Sequence, residues 1–342
     1  YGIKSSVQGI GDKQFNYIFK YDIQAIYDEE AKDLEEIYTF LDDNKAEKIP
    51  IISDMATIKN KKGFYESVSI LSTEKADSLD DYVRLQDRRS KEIYKLDSQG
   101  IIVSEKLAQA VDKKPGENLK LKDSNGIEHS LPISHISEHY SGHQIYMTND
   151  FYHKLIDEGK KNNSLLIKLD QADEKELRDF NKKLRSKDSI IQTIPIYDLN
   201  DVLDDLVESL DMVVWVIIII SALLTFVVLY NLTNINVSER ERELSTIKVL
   251  GFRPKESLSY IFRETFLLTI LGILIGFIVG RLMHIAIVMA LSPSSVLLDP
   301  QMMPLSYLYS ALIVLAFTFI VMFIIDREIR KIDMVEALKS ID

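Results

Sequence analysis

His135, Glu138, His139 and His143 form a closely spaced set of metal-ligand residue types. Imidazoles and a carboxylate suit zinc when one element turns them toward a common point. Here the segment runs from a strand pattern into a loop containing Gly142, so helical i, i+4 ligand spacing does not apply. The four read as surface polar residues without a metal. Arg281 and His284 lie within an apolar stretch, where charge is costly and often functional. Both sit toward its outer end, within snorkelling reach of the interface. The phosphate-binding pattern Gly-x4-Gly-Lys-Ser/Thr occurs nowhere, so the usual ATP cradle is not encoded. No Ser-His-Asp or paired-carboxylate arrangement stands out among 52 acidic residues. The sequence therefore assigns no catalytic, cofactor-binding or metal-ligating residue.

What remains is contact chemistry. The run Asn236 to Leu244 alternates acids and bases, and Val237, Leu244, Ile247 and Leu250 fall on one helical face with the charges on the other. Gly251 ends this helix and Pro254 prevents its resumption. Such a helix can lie along a membrane surface and press on a partner through Glu239, Arg240, Glu243 and Lys248.

The elements that must position it are apolar. Residues 212–235 and 305–325 carry no charge, and 266–291 is interrupted only by Arg281 and His284. About 20 apolar residues cross the hydrocarbon core, so each stretch is long enough to span a membrane. In the second, Gly272, Gly276 and Gly280 recur every four residues, a stripe that lets another helix approach closely. The expected membrane domain covers 206–342.

Charge gives the orientation. From residue 212 onward bases and acids balance, so the whole net charge of −11 belongs to the part before it. An acidic domain argues against nucleic acid as a partner, and an anionic membrane surface would repel it. Lys and Arg cluster in 236–264 and in the tail after 325, and none lies in 292–304. Basic segments stay in the cytoplasm, which places residues 1–205 outside a plasma membrane. An exported domain ahead of an outside-to-inside span needs something to carry it across: an earlier span is expected before Tyr1, with a cleaved signal peptide as the alternative. With no cysteine it has no disulfide framework, and roughly 200 residues suffice for a self-sufficient core.

The outer part reads as mixed α and β. Phe15 to Ile23 alternates with period two, as a strand with one buried face. Pro50 cannot donate to a ladder, so the next strand is expected to start at Ile51. Further strands are expected at 64–71, 165–167 and 190–196, and helices at 104–111 with Ser104 as N-cap, 149–158 and 172–186. Asn125-Gly126 between apolar runs marks a hairpin of 119–121 with 127–136. From Tyr197 a helical period (Leu199, Val202, Leu203, Leu206, Leu210) runs unbroken into the first span as a stalk.

The stretch Asn231 to Phe252, a span ending in Asn, then the charged run, then Leu250-Gly251, resembles the signature of FtsX-like permeases, the MacB/FtsX class of ABC transporter membrane subunits. The tail segment Val335-Glu336-Ala337-Leu338 is similar to the ending of such permeases. Gly100 to Ala108, Pro115-Gly116-Glu117 and the hairpin resemble their extracytoplasmic core domain. The resemblance implies an α+β outer domain on an α-helical membrane bundle of four helices, three of them in this chain. It implies a cytoplasmic ABC ATPase as partner and a second permease module or homodimer partner. It makes Glu239, Arg240, Glu243, Leu244, Ile247, Lys248 and Gly251 the ATPase-coupling residues, and ATP hydrolysis the work of a separate subunit. The expected function is export or extraction of lipid, lipoprotein or peptide, or activation of a cell-wall process. The alternative is a membrane-anchored sensor or scaffold.

Overall fold

The computed structural model describes residues 2–28, 30, 34–170, 172–239, 254–297, 302 and 304–331. The chain divides into two units. One comprises 6–207 with 291–299, and the other 208–290 and 300–342 with the first five residues.

The first of these, expected from the sequence to be the outer domain and called the outer unit for that reason, is built around β2 (Glu47–Lys59). At 13 residues it is long enough to serve two sheets. Over its second half it pairs with β3 (Tyr65–Thr73) and β5 (Asn118–Lys122). These join β7 (Gln144–Thr148), β4 (Ile101–Ser104) and β6 (Glu128–Ser137) in the closed ring β2-β3-β7-β4-β6-β5. Closure removes the sheet edges. Over its first half β2 pairs with β8 (Ser164–Lys168), which continues to β1 (Ile23–Tyr27) and β9 (Ile190–Pro195) as an open antiparallel sheet.

Inward residues of the ring, among them Ile58, Val68, Ile101, Leu119, Leu131 and Ile145, form one core, which α3 (Glu105–Val111) and α4 (Asn149–Leu155) cover. The open sheet is buried on both faces, as its unbroken apolar run Leu165-Leu166-Ile167 anticipates. Leu165 and Ile167 face α2 (Leu34–Asp43) and α5 (Glu174–Arg185). Leu166 faces a third core with Ile10, Phe15, Ile18, Tyr140 and Ile196.

Two expectations fail here for physical reasons. Residues 15–18 are not strand: α1 (Gly2–Lys13) passes into a π-helical turn, Gln14–Ile18, and β1 starts only at Ile23. Ile10, Phe15 and Ile18 fit a helical face as well as alternation does, and packing against Tyr82 and Val83 decides between them. β2 does not wait for Pro50, which lies opposite Leu165. β3 joins β2 only from Ile52, so Pro50 sits where one edge has no ladder, and its carbonyl accepts the Thr73 hydroxyl at 3.1 Å. Ser104 does sit at the N-cap of α3 but does not cap it; its Oγ accepts from Gln144 N at 3.1 Å. The Asn-Gly hairpin forms as read, with Gly126 at φ +81°.

The second unit holds the apolar stretches Met212–Asn236, Arg263–Ala290 and Pro304–Arg327, which belong to α6 (Ile196–Glu239, beginning in the first unit), α7 (Pro254–Leu291) and α8 (Pro304–Lys331). Each is long and apolar enough to cross a bilayer. Val213, Trp215, Ile219, Leu271, Ile275 and Phe319 stand exposed on them, a surface that lipid, not water, must cover. The protein is a membrane protein.

Candidate functional site

α6 is one uninterrupted helix of 44 residues. It starts with Ile196 in the outer core, packed near Leu199 and Leu203, and ends at the charged run. Gly11 of α1 lies against this stalk, where a Cβ would meet Leu203 at 3.5 Å. Arg178 of α5 binds it through Asp201 at 2.7 Å and lies over the Tyr197 ring. Glu239 is the last described residue of α6 and is exposed. Arg240, Glu243, Leu244, Ile247, Lys248 and Gly251 lie outside the described residues, as does the tail from 332.

A second element sequence reasoning missed is the segment 291–297, which follows α7. It belongs to the outer unit. Gly142 N donates to Ser295 O and Leu297 N to Tyr140 O, each at 2.9 Å, so that Ser141 and Val296 form an antiparallel bridge. Gly142 takes φ +82°, a backbone state for which glycine is suited. Leu297 enters the core beside Tyr140. Lys106 Nζ donates to Ser292 Oγ at 3.1 Å. Ser294 donates to Glu66, which also pairs with buried His143 Nε2 at 2.5 Å and accepts from Asn60. Burial works to raise the Glu66 carboxyl, but the bonds from Asn60, His143 and Ser294 outweigh it and hold it below the usual range. Burial pushes the Lys106 ammonium down. No local pattern announces these contacts, because Lys106 and Ser292 are 186 positions apart.

Contrary to the expectation of exposed polar residues, Glu138, His139 and His143 are buried. They do not converge. Glu138 accepts from Gln86 at 2.6 Å, Lys91 at 2.7 Å and Tyr140 at 2.6 Å. His139 Nδ1 faces Gln14 Nε2 at 3.3 Å, and His135 stacks on Tyr94. Burial lowers the His139 imidazole to about 4, so it is neutral at pH 7. Among the described residues no three His, Asp or Glu stand close enough to hold a metal. These groups join the π-helical turn at 14–18, the 86–94 segment and the 135–140 stretch into one polar seam, which does structural work.

In the membrane unit Gly272, Gly276 and Gly280 line a cavity of about 590 Å³, with Leu224, Val228, Phe277 and Tyr307. A Cβ at any of the three glycines would meet nothing within 4 Å. His284 is buried and Arg281 half-buried.

A family model, FtsX-like permease C-terminal, matches residues 215–334. No curated protein matches the chain. Among solved structures, the periplasmic region of MacB from Actinobacillus actinomycetemcomitans is similar at 12% identity and a TM-score of 0.32, covering 55% of this chain and 94% of that one. The extracellular domain of the noncanonic ABC-type transporter YknZ from Gram-positive bacteria is similar at 12% identity and a TM-score of 0.29, covering 50% and 99%.

Proposed function

From the premise that this chain carries an FtsX-like permease C-terminal region over residues 215–334, we propose that it is the membrane subunit of an ABC transporter complex that passes ATP-driven movement to its outer unit. The observation that carries the reading is α6, unbroken from the outer core to the charged run. A helix without a Pro or Gly break transmits displacement and rotation along its axis. The clamped 291–297 segment supports a second line of transmission, because it ties the outer unit to the chain between α7 and α8.

In this mechanism a cytoplasmic ATPase, a separate subunit, closes on ATP and presses on the helix after residue 236. Glu239, Arg240, Glu243 and Lys248 meet it through charge, and Leu244 and Ile247 through apolar contact, with Gly251 as the stop. Span one carries the shift outward, and the outer unit acts on a lipid, lipoprotein, peptide or cell-wall enzyme. Residues 1–205 are extracellular, and 236–264 and the tail cytoplasmic. A homodimer partner or second permease module completes the assembly.

The test is Glu243→Lys in the assembled transporter. Reversing one partner of a desolvated charged contact costs about 2–5 kcal/mol, so ATP hydrolysis is expected to uncouple from transport while the outer unit stays folded. Wild-type transport and ATPase stimulation in that variant would refute the role. A sensor or scaffold would bind its ligand with the ATPase rate unchanged.

A further inference from the structure

The hairpin tip between β2 and β3 has a composition at odds with its domain. Phe64 and Tyr65 are 66% and 60% exposed. Lys59, Lys61 and Lys62 surround them, exposed and without an ion pair among the described residues. Lys122 of β5 lies over the Tyr65 ring at 5.8 Å, and Ile127 at the neighbouring hairpin tip is 57% exposed. Of the nearby carboxylates, Glu66 is taken up by His143, Asn60 and Ser294. Asp123 is engaged by His129. A patch of four lysines and two bare aromatic rings therefore stands on a unit whose overall charge is strongly negative.

The patch is close to the segment that follows the second apolar stretch. Ser292 is one peptide bond beyond Leu291, the last residue of α7. Lys106 holds Ser292, and one helical turn later Ala110 O accepts from Lys61 N at 2.9 Å. Glu66, which accepts from Ser294, is two residues from Phe64. One turn of helix rises about 5.4 Å, and two strand residues span about 7 Å. The tip thus lies within a few residues' reach of Ser292 and Ser294, the stretch of its own unit that follows the second apolar segment in the chain. Aromatic rings flanked by lysines have the chemistry of an interfacial anchor: the rings enter the headgroup boundary and the ammonium groups meet phosphates.

We propose that the 59–65 tip, with Lys122, docks on the anionic phospholipid headgroups of the bilayer the chain spans, with Phe64 and Tyr65 inserted. The outer unit as a whole is repelled by such a surface, and this tip is the local exception that holds it down. Each lysine near an anionic surface contributes about 1 kcal/mol, so removing one lowers the docked-to-undocked ratio about fivefold.

The chain has no cysteine, so single-site labelling is direct. Phe64→Cys in the full chain, labelled with an environment-sensitive nitrobenzoxadiazole dye in nanodiscs, is expected to show blue-shifted emission and quenching by doxyl-labelled lipid. The effect is expected to be stronger with phosphatidylglycerol than with phosphatidylcholine. Ile191→Cys, 69% exposed on β9, is the unquenched control. Adding Lys61→Glu and Lys62→Glu to the Phe64→Cys chain is expected to release the dye to water. Absence of quenching at position 64 in both lipids, or quenching indifferent to lipid charge and to the two lysines, overturns the proposal. Since no ATPase is present, the result is independent of the transport reading.

Discussion

Glu138 has only 3% of its side chain exposed and depends on Lys91, Gln86 and Tyr140 to stay charged. Burial works to raise its pKa, and these bonds reverse the shift and lower it. Lys91→Ala leaves a buried carboxylate with two neutral donors and is expected to cost roughly 1–3 kcal/mol, read as a fall in the thermal midpoint of the outer unit. His139 supplies a pH dependence of known sign. Its folded pKa of about 4 lies below the unfolded value, so between about pH 4 and 6.5 the unfolded chain binds more protons. Stability is expected to fall as pH drops through that window, by about 3 kcal/mol in all. His139→Phe is expected to flatten the slope, whatever its offset at pH 7; an unchanged slope would assign the pH dependence elsewhere. The sequence displayed these histidines as a cluster but not their burial. Their partners Gln14, Glu66 and Tyr94 come from distant segments, and spacing along a chain says nothing of such pairs.

At the scale of elements, what could be read was what one segment decides for itself. The three apolar helices, the Asn125-Gly126 hairpin and the capped helix α5 were legible because periodicity and turn chemistry are local. The 101–104 strand, whose fully buried residues show no alternation, and the π-helical turn at 14–18 were settled by tertiary packing. Gly100 shows such a constraint: a Cβ there would stand 2.7 Å from Pro132 O and 3.0 Å from Ser134 N, both backbone atoms of β6. Gly100→Ala must push β4 from β6 and is expected to cost about 1–3 kcal/mol, detectable in a denaturant titration. The membrane glycines make the opposite case. A Cβ at Gly276 would meet nothing within 4 Å, so if the glycines form a close-packing stripe for a partner helix, Gly276→Leu is expected to disrupt assembly or activity more than Ile278→Leu does. Equal tolerance would mean the glycines face lipid.

For the whole molecule, the orientation inferred from lysine and arginine placement is open to direct test. A single cysteine at Ser238 is expected to resist an impermeant thiol reagent in intact cells, and one at Ser124 to react; the reverse would invert the topology. The clamp at 291–297 bears also on how such a chain comes into being. Leu297 and Val296 help fill the core around Tyr140, yet they follow Val207, where that unit otherwise ends, by the whole of span one and the whole of α7. At synthesis rates of about 5–20 residues per second, an interval on the order of five to twenty seconds separates them. Throughout it the 6–207 unit lacks a piece of its own interior that is still to be synthesised or inserted. The core around Tyr140 is therefore expected to be completed only after α7 has been made, and a chain that lacks the 291–297 segment is expected to leave Tyr140 uncovered.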